Sequence, residues 1–385
     1  MSPSLRSGAV LALAMTALGC GGRYGGRTAE RPQAPRGGIE SAALPYQIVD
    51  AHTRKSVDES AFWARLAGAR AVCVGEEHPN PHHHWLQLHV VRELVKRLPR
   101  GTHLALALEM FQRPFQGVLD DYAAHRIDAA ALRSRSGYEE RWGYDYNFYG
   151  PTIDAAVGAG AQLLAANAAK ELTKKVVRHG LESLTPDEKA QVPELKLDDA
   201  AHRSWFDALM EEMGGGAAHS QAKAGQPDKS DKPDKSDKPD KSDKPAADKK
   251  PAEPPRSSPH GEGGAAEMPS ADRIYTVQVI WDETMADTGA KWLAANPGGH
   301  LILLAGNGHC HDSAIVGRIK RRGIADAVSI RGVIDDGEGS VSDALARPIN
   351  DYVVVLQMPP DVRRKTAEDG DARPGKPDKP DKEKE

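Results

Sequence analysis

Residues Ala71–His84 read AVCVGEEHPNPHHH, and the fold turns on how this stretch is read. A short apolar run (Ala71, Val72, Cys73, Val74) meets Gly75, then Glu76, Glu77 and His78, then a Pro79-Asn80-Pro81 break and a histidine-rich helix start. Short apolar runs that end in glycine and feed an amphipathic segment read as buried strands leading into helices. In an open α/β sheet, ligands bind outside the carboxyl ends of such strands. Gly75 is therefore expected to turn the chain sharply and leave Glu76 and His78 at the mouth of a site.

The same pattern recurs along the chain. Leu104–Leu108 (LALAL) is followed at once by Glu109, and Gln162–Ala165 runs to Asn167. His300–Ala305 (HLILLA) opens into Gly306-Asn307-Gly308-His309-Cys310-His311. Tyr46–Asp50 reads as a first strand, with Ala327–Ile330 and Tyr352–Leu356 as closing ones. Between them lie helical patterns. Asp58 is placed to cap a helix ending near Leu66, and Pro81 suits a first helical turn. Leu88, Val91, Leu94, Val95 and Leu98 then make one buried face, ended by Pro99-Arg100-Gly101. Ile274, Val277, Ile280, Trp281 and Met285 repeat that spacing later, on a helix that also carries Asp282. Strands alternating with helices place the chain in the α/β class.

The 385 residues carry a net charge of −4, which gives no electrostatic reason to expect nucleic acid as a partner. Residues 1–19 read as a signal peptide: Arg6 supplies the positive start, and Ala9–Leu18 is an apolar run shorter than the ~20 residues a membrane span needs. Ala17-Leu18-Gly19-Cys20 resembles a bacterial lipobox, which implies lipidation at Cys20, a membrane partner through that anchor, and a tether over residues 20–44. Pro-Asp-Lys-Ser-Asp-Lys repeats fill Pro227–Pro245 with no apolar residue. Such composition cannot bury enough surface to offset chain entropy. Residues 214–270 are thus expected to be a long disordered insertion and 361–385 a charged tail, within one domain made of 45–213 and 271–360. Cys73 and Cys310 both fall near strand ends; two free thiols are expected, a disulfide being conceivable only if their Cα atoms approach.

Three strand ends then deliver Glu76 with His78, Glu109, and His309 with His311. His78 and His309 could ligate a divalent transition metal while Glu76 or Glu109 serves as general base. The same groups could also work without metal as acid/base pairs. Of His82, His83 and His84, the candidate is the one on Gln87's side of the helix. The run Trp142-Gly143-Tyr144-Asp145-Tyr146-Asn147-Phe148-Tyr149 offers rings for a flat ligand and phenols for a metal.

Taken together, Gly75-Glu76-Glu77-His78 with Asn80-Pro81, His84 and Gln87, then Glu109-Met110-Phe111, Trp142 with Tyr149, Ala165-Ala166-Asn167, Asp282 with Met285-Ala286, and Gly306-Asn307-Gly308-His309 resemble the ChaN family. That family is the haem-binding lipoprotein branch of a superfamily shared with erythromycin esterases and the Tiki metalloproteases. The resemblance covers about Tyr46–Met213 and Asp272–Met358. It implies a central, mostly parallel sheet with helices on both faces, and a lipid-anchored protein of the bacterial cell envelope that takes up iron. It further implies haem as cofactor, a homodimer that holds it, and Tyr149 as iron ligand with His84 beside it; Tyr146 or Tyr144 could substitute, and Arg141 or a histidine could hold the phenol ionised. In the wider superfamily the positions matching Glu76, His78, Glu109 and His309 serve catalysis, which makes a peptidase or esterase the alternative. A structural envelope protein with a vestigial site is the third.

Overall fold

The computed structural model describes residues 32–214 and 269–359. The proposed signal peptide, the lipidation at Cys20, the Lys/Asp/Pro repeats and the charged tail lie outside the described residues. The strands are β1 (Tyr46–Asp50), β2 (Lys55–Ser56), β3 (Ala71–Glu76), β4 (Leu104–Gln112), β5 (Gln162–Asn167), β6 (His300–Gly306), β7 (Ala327–Asp335) and β8 (Tyr352–Gln357). They form one 8-stranded sheet in the order β2-β1-β8-β7-β3-β6-β4-β5. Every pairing from β8 to β5 is parallel, and only β1 runs antiparallel, against β2 and β8.

The helices are α1 (Glu59–Gly68), α2 (Pro81–Arg97), α3 (Gln116–Ala123), α4 (Ala129–Ser136), α5 (Tyr138–Arg141), α6 (Gly150–Gly158), α7 (Lys170–His179), α8 (Pro186–Lys189), α9 (Ala200–Gly214), α10 (Ala271–Ala295), α11 (Ile315–Arg321) and α12 (Ser340–Ala346). Side chains alternate across a strand, so each strand feeds two cores. Val72 and Val74 of β3 pack with Phe62, Leu88, Leu94 and Ile153 on one face. Ala71 and Cys73 pack with Met285, Leu293 and Ile319 on the other. With both faces covered, β3, β4 and β6 are buried end to end, as central parallel strands require. Among the described residues, no helix is long and apolar enough to cross a membrane.

Three sequence readings change. Gly75 does not turn the chain; β3 continues through Glu76. A side chain at 75 would collide with Asn307 Oδ1 and stand 3.3 Å from the Ile330 carbonyl, so glycine is there for close backbone approach. The turn comes later, where Asn80 caps α2 by accepting from the His82 amide at 3.1 Å. Glu109 does not follow its strand but lies inside it, at an irregularity in the β4–β5 register between Leu108 and Gln112. The ordered body also begins before Tyr46: Ile39 is fully buried in a 3-10 turn, Ile39–Ala42, and His82 Nδ1 donates to the Ala42 carbonyl at 2.7 Å.

The expectation of two free thiols is overturned. Cys73 and Cys310 form a disulfide, with their Cα atoms 5.6 Å apart. The reason is topological. β3 and β6 are paired neighbours, and the loop leaving β6 folds back so that the Cys310 amide donates to the Gly306 carbonyl. That carries Cys310 over the face on which Cys73 already points. Sequence separation says nothing about such a return. The bond ties β3 to the loop that bears His309. Cys73→Ser is expected to cost about 2–5 kcal/mol of unfolding free energy. Denaturant midpoints of variant and parent should differ without reductant and converge once the parent is reduced.

Candidate functional site

β3, β4 and β6 end side by side, and their last residues are polar. Glu76 is fully buried at the end of β3. Its Oε1 accepts from His78 Nδ1 at 2.6 Å and from the Tyr149 hydroxyl at 3.2 Å. Its Oε2 lies 3.5 Å from His84 Nε2 and has no hydrogen-bond partner. His84 is held by its own neighbours, with Nε2 donating to the His78 carbonyl at 2.8 Å and Nδ1 at 3.2 Å from Gln87 Oε1. Of the triplet, His84 is the histidine on Gln87's side of the helix. His82 bonds Ala42 instead, and His83 Nδ1 accepts from the Glu77 amide at 3.0 Å.

A second pair stands opposite. Glu109 Oε2 accepts from the Gly306 amide at 2.7 Å, and Oε1 is 3.4 Å from His309 Nε2. His309 Nδ1 donates to Asp282 Oδ1 at 2.7 Å. Gln278 Nε2, 3.1 Å from that same nitrogen, donates to the Gly308 carbonyl. Asp282 and Gln278 both come from α10, one turn apart on the same side, so a single helix face presents them. Behind Asp282, His202 Nε2 lies 3.0 Å from Oδ2, close enough for an ion pair though not aligned as a hydrogen bond. Arg318 closes the group at 4.0 Å.

Both pairs face one space. A Cβ on Gly306 would stand 3.1 Å from His78 Cε1 and 3.8 Å from Glu109 Oε2, so ring and carboxylate both border this strand end and glycine lets the ring close over it. The rim is aromatic. Half-buried Trp142 and Tyr144 pack on the His78 ring, with centroids 4.5 and 4.8 Å away, and Trp281 stands 6.0 Å from His309.

The electrostatics follow from burial set against pairing. For Glu76, burial opposes ionisation, but the imidazoles of His78 and His84 hold the carboxyl below its ordinary value. For His78, burial favours the neutral ring, and Glu76 and Glu109 outweigh it to raise the pKa. For His309 the same contest, with Glu109 and Asp282 as partners, pushes the ring up to about 9. Asp282 is resisted by burial yet held well below the carboxylate range by His309, His202 and Arg318. Tyr149 is different. Burial and the Glu76 charge drive its phenol well above 10.

Of the residues singled out from sequence, Glu76, His78, His84 and Tyr149 come together, as do Glu109 and His309. His311 does not join them. It is fully buried against Trp205, 4.4 Å between ring centroids, with Nδ1 near Ser313 and burial pushing it down to about 3. Among the described residues, the only group of three or more ligand-type side chains with donor atoms within 4.8 Å of one another is His52, Asp312 and Asp351. His78 and His309 each bond a carboxylate through Nδ1, to Glu76 and Asp282 respectively. His202 escaped sequence reading, since nothing in Ala200-Ala201-His202-Arg203 marks it; only the packing of α9 against α10 does.

A family described as haem-binding uptake, Tiki superfamily, ChaN matches residues 62–319. A solved structure of ChaN from Campylobacter jejuni, described as binding haem cofacially, superposes with a TM-score of 0.54 at 16% identity, over 81% of this chain and 97% of that one. At that identity the likeness is one of fold. An erythromycin esterase mutant in its open conformation gives 0.35 at 14% identity, over 76% of this chain and 77% of that one. RETICULATA-RELATED 5, a chloroplastic protein of Arabidopsis thaliana, is 29% identical over 136 residues, which is 34% of this chain and 18% of that protein's length.

Because its folded pKa is raised from 6.5, His309 contributes stability that is complete below about pH 6.5 and is lost as pH rises through about 9. Asp282→Asn removes one of the two charges that hold the proton. Imidazole resonances followed by NMR should show His309 titrating at lower pH in that variant, and thermal melts between pH 6.5 and 9 should lose part of their slope, Glu109 holding the rest.

Proposed function

The chain belongs to the haem-binding uptake family of the Tiki superfamily, the family of ChaN, and from that premise we propose that the cleft beyond β3, β4 and β6 takes haem. The observation that carries this reading is the rim. Trp142 and Tyr144 offer flat, half-buried faces directly against an imidazole at a strand mouth. These residues fit a planar aromatic ligand, whereas Tyr149 does not fit as the iron ligand. It is 1% exposed, donates to Glu76 and is held strongly protonated. Tyr144 is the half-buried phenol at the rim, and in this proposal it is the one that meets the ligand. When bound, haem supplies an iron centre that a phenolate or imidazole can ligate. The chain's own part is to hold His78 in one orientation through Glu76, and to keep His309 cationic between Glu109 and Asp282.

Within the same proposal the protein is a lipoprotein of the bacterial envelope, anchored at Cys20 and serving iron uptake, with two copies closing on the ligand. The short apolar run and small residues before Cys20 support the anchor. A second reading rests on a different observation. Two carboxylate–imidazole pairs facing one space are equipped for metal-free acid/base hydrolysis of an ester or peptide.

Haemin titrated into the lipid-free protein should produce a saturable Soret shift. Tyr144→Phe should weaken it roughly tenfold or more, the scale of a lost 1.4 kcal/mol contact, while Tyr149→Phe should leave the band position unchanged. A flat titration removes the haem reading. Ester or peptide turnover that His309→Ala abolishes would put the hydrolase in its place.

A further inference from the structure

Away from the cleft, three ligand-type side chains arrive from three separate segments. His52 sits between β1 and β2, Asp312 in the loop between β6 and α11, and Asp351 directly before β8. One donor atom from each lies within 4.8 Å of the other two, and His52 Nε2 is 3.3 Å from Asp312 Oδ2. Hydrogen bonds that involve none of these donor atoms hold the segments together. The Ala51 amide donates to the Asp351 carbonyl at 3.0 Å, the Asp312 amide to the Ile349 carbonyl at 2.8 Å, and Asn350 Nδ2 to the Cys310 carbonyl at 2.6 Å. The segments that carry the three donors are thus joined by bonds other than those among the donors themselves.

The charges at this point do not balance. Ser329 Oγ is 2.8 Å from Asp312 Oδ1 and 3.2 Å from Asp351 Oδ2, and it already accepts from the Asp351 amide. The Ser329 amide donates to Asp351 Oδ2 at 2.8 Å, which leaves the one hydroxyl proton for Asp312, and these neutral donors cancel neither charge. Among the described residues, no lysine or arginine nitrogen comes within 4.0 Å of either. Two carboxylates therefore converge on an imidazole with no fixed cation between them.

We propose that His52, Asp312 and Asp351 bind a divalent transition-metal ion of the zinc or manganese class. An imidazole with two carboxylates is a donor set such ions accept, with water completing the coordination. For three atoms so spaced there is a point no more than about 2.8 Å from all of them, a small side-chain movement from the ~2.0–2.2 Å of zinc bonds to nitrogen and oxygen. The His52 side chain is 52% exposed and that of Asp312 30%, so an ion has a path in. Bound there, it pins the turn after β1 to the loop that bears His309. Ser329 orients both carboxylates from behind and acts as a positioning residue.

The test uses the full chain, dialysed against EDTA and titrated calorimetrically with zinc or manganese chloride alone. One equivalent should bind and raise the melting temperature, since an ion that binds only the folded state stabilises it. His52→Ala and Asp351→Asn should each weaken that equivalent at least about tenfold, and Ser329→Ala roughly 10–100-fold. His52 is a surface side chain, so its variant should keep the metal-free melting temperature of the parent. Cobalt should shift the His52 imidazole resonances. The cleft is separated by a His78→Ala/His309→Ala variant, which should retain the equivalent whether or not haem binds. No binding, binding indifferent to His52→Ala and Asp351→Asn, or binding lost only in the cleft variant overturns the proposal.

Discussion

A carboxylate taken out of water costs several kcal/mol unless it is paired and hydrogen-bonded, and this chain buries several at one end of its sheet. Glu76, Glu109 and Asp282 are each 4% exposed or less. Each is met by groups that come from somewhere else: Glu76 by His78, His84 and Tyr149, Glu109 by the Gly306 amide, Asp282 by His309 and His202. The pairings are thus also the clamps that hold loops against strand ends. Removing one partner leaves a buried charge uncompensated, so the arrangement of the cleft and the stability of the sheet's carboxyl end are one matter.

Helix α10 shows the same economy in two uses. On one side Asp282 and Gln278 address His309. Immediately after Asp282, Glu283 is fully buried and serves no site. It is surrounded by Arg318 at 3.1 Å, Arg322 at 2.7 Å and Arg321, which together lock α10 to α11. One carboxylate positions an imidazole at the cleft, while its neighbour in the chain fastens two helices. The difference is the partner: an imidazole can exchange a proton near neutrality, and a guanidinium cannot.

The disulfide belongs to the same account. The loop after β6 must return across the β3 face to place His309 against Glu109 and Asp282, and the Cys73–Cys310 bond fixes that return. Phe148 and Tyr149 pack on His84 from the opposite side, with ring centroids 4.7 and 4.6 Å away. Three of the five rings between Trp142 and Tyr149 are therefore interior packing, and only Trp142 and Tyr144 reach the rim.

The chain alone determined the alternation of buried strands and amphipathic helices, because apolar runs such as Val72–Val74 and Leu301–Leu304 have nowhere to go but a covered sheet. It also marked Glu76, His78, Glu109 and His309, because polar residues at the ends of such strands must emerge together when the strands are parallel neighbours. Local pattern could not show which way a loop returns or which ring faces inward. The bond between Cys73 and Cys310, the burial of Tyr149, the reach of His202 to Asp282 and the meeting of His52 with Asp312 and Asp351 all join residues far apart in the chain. Distances of that kind are set by how helices and loops pack on the sheet. Periodicity and spacing carry no record of them, and only the tertiary structure decided them.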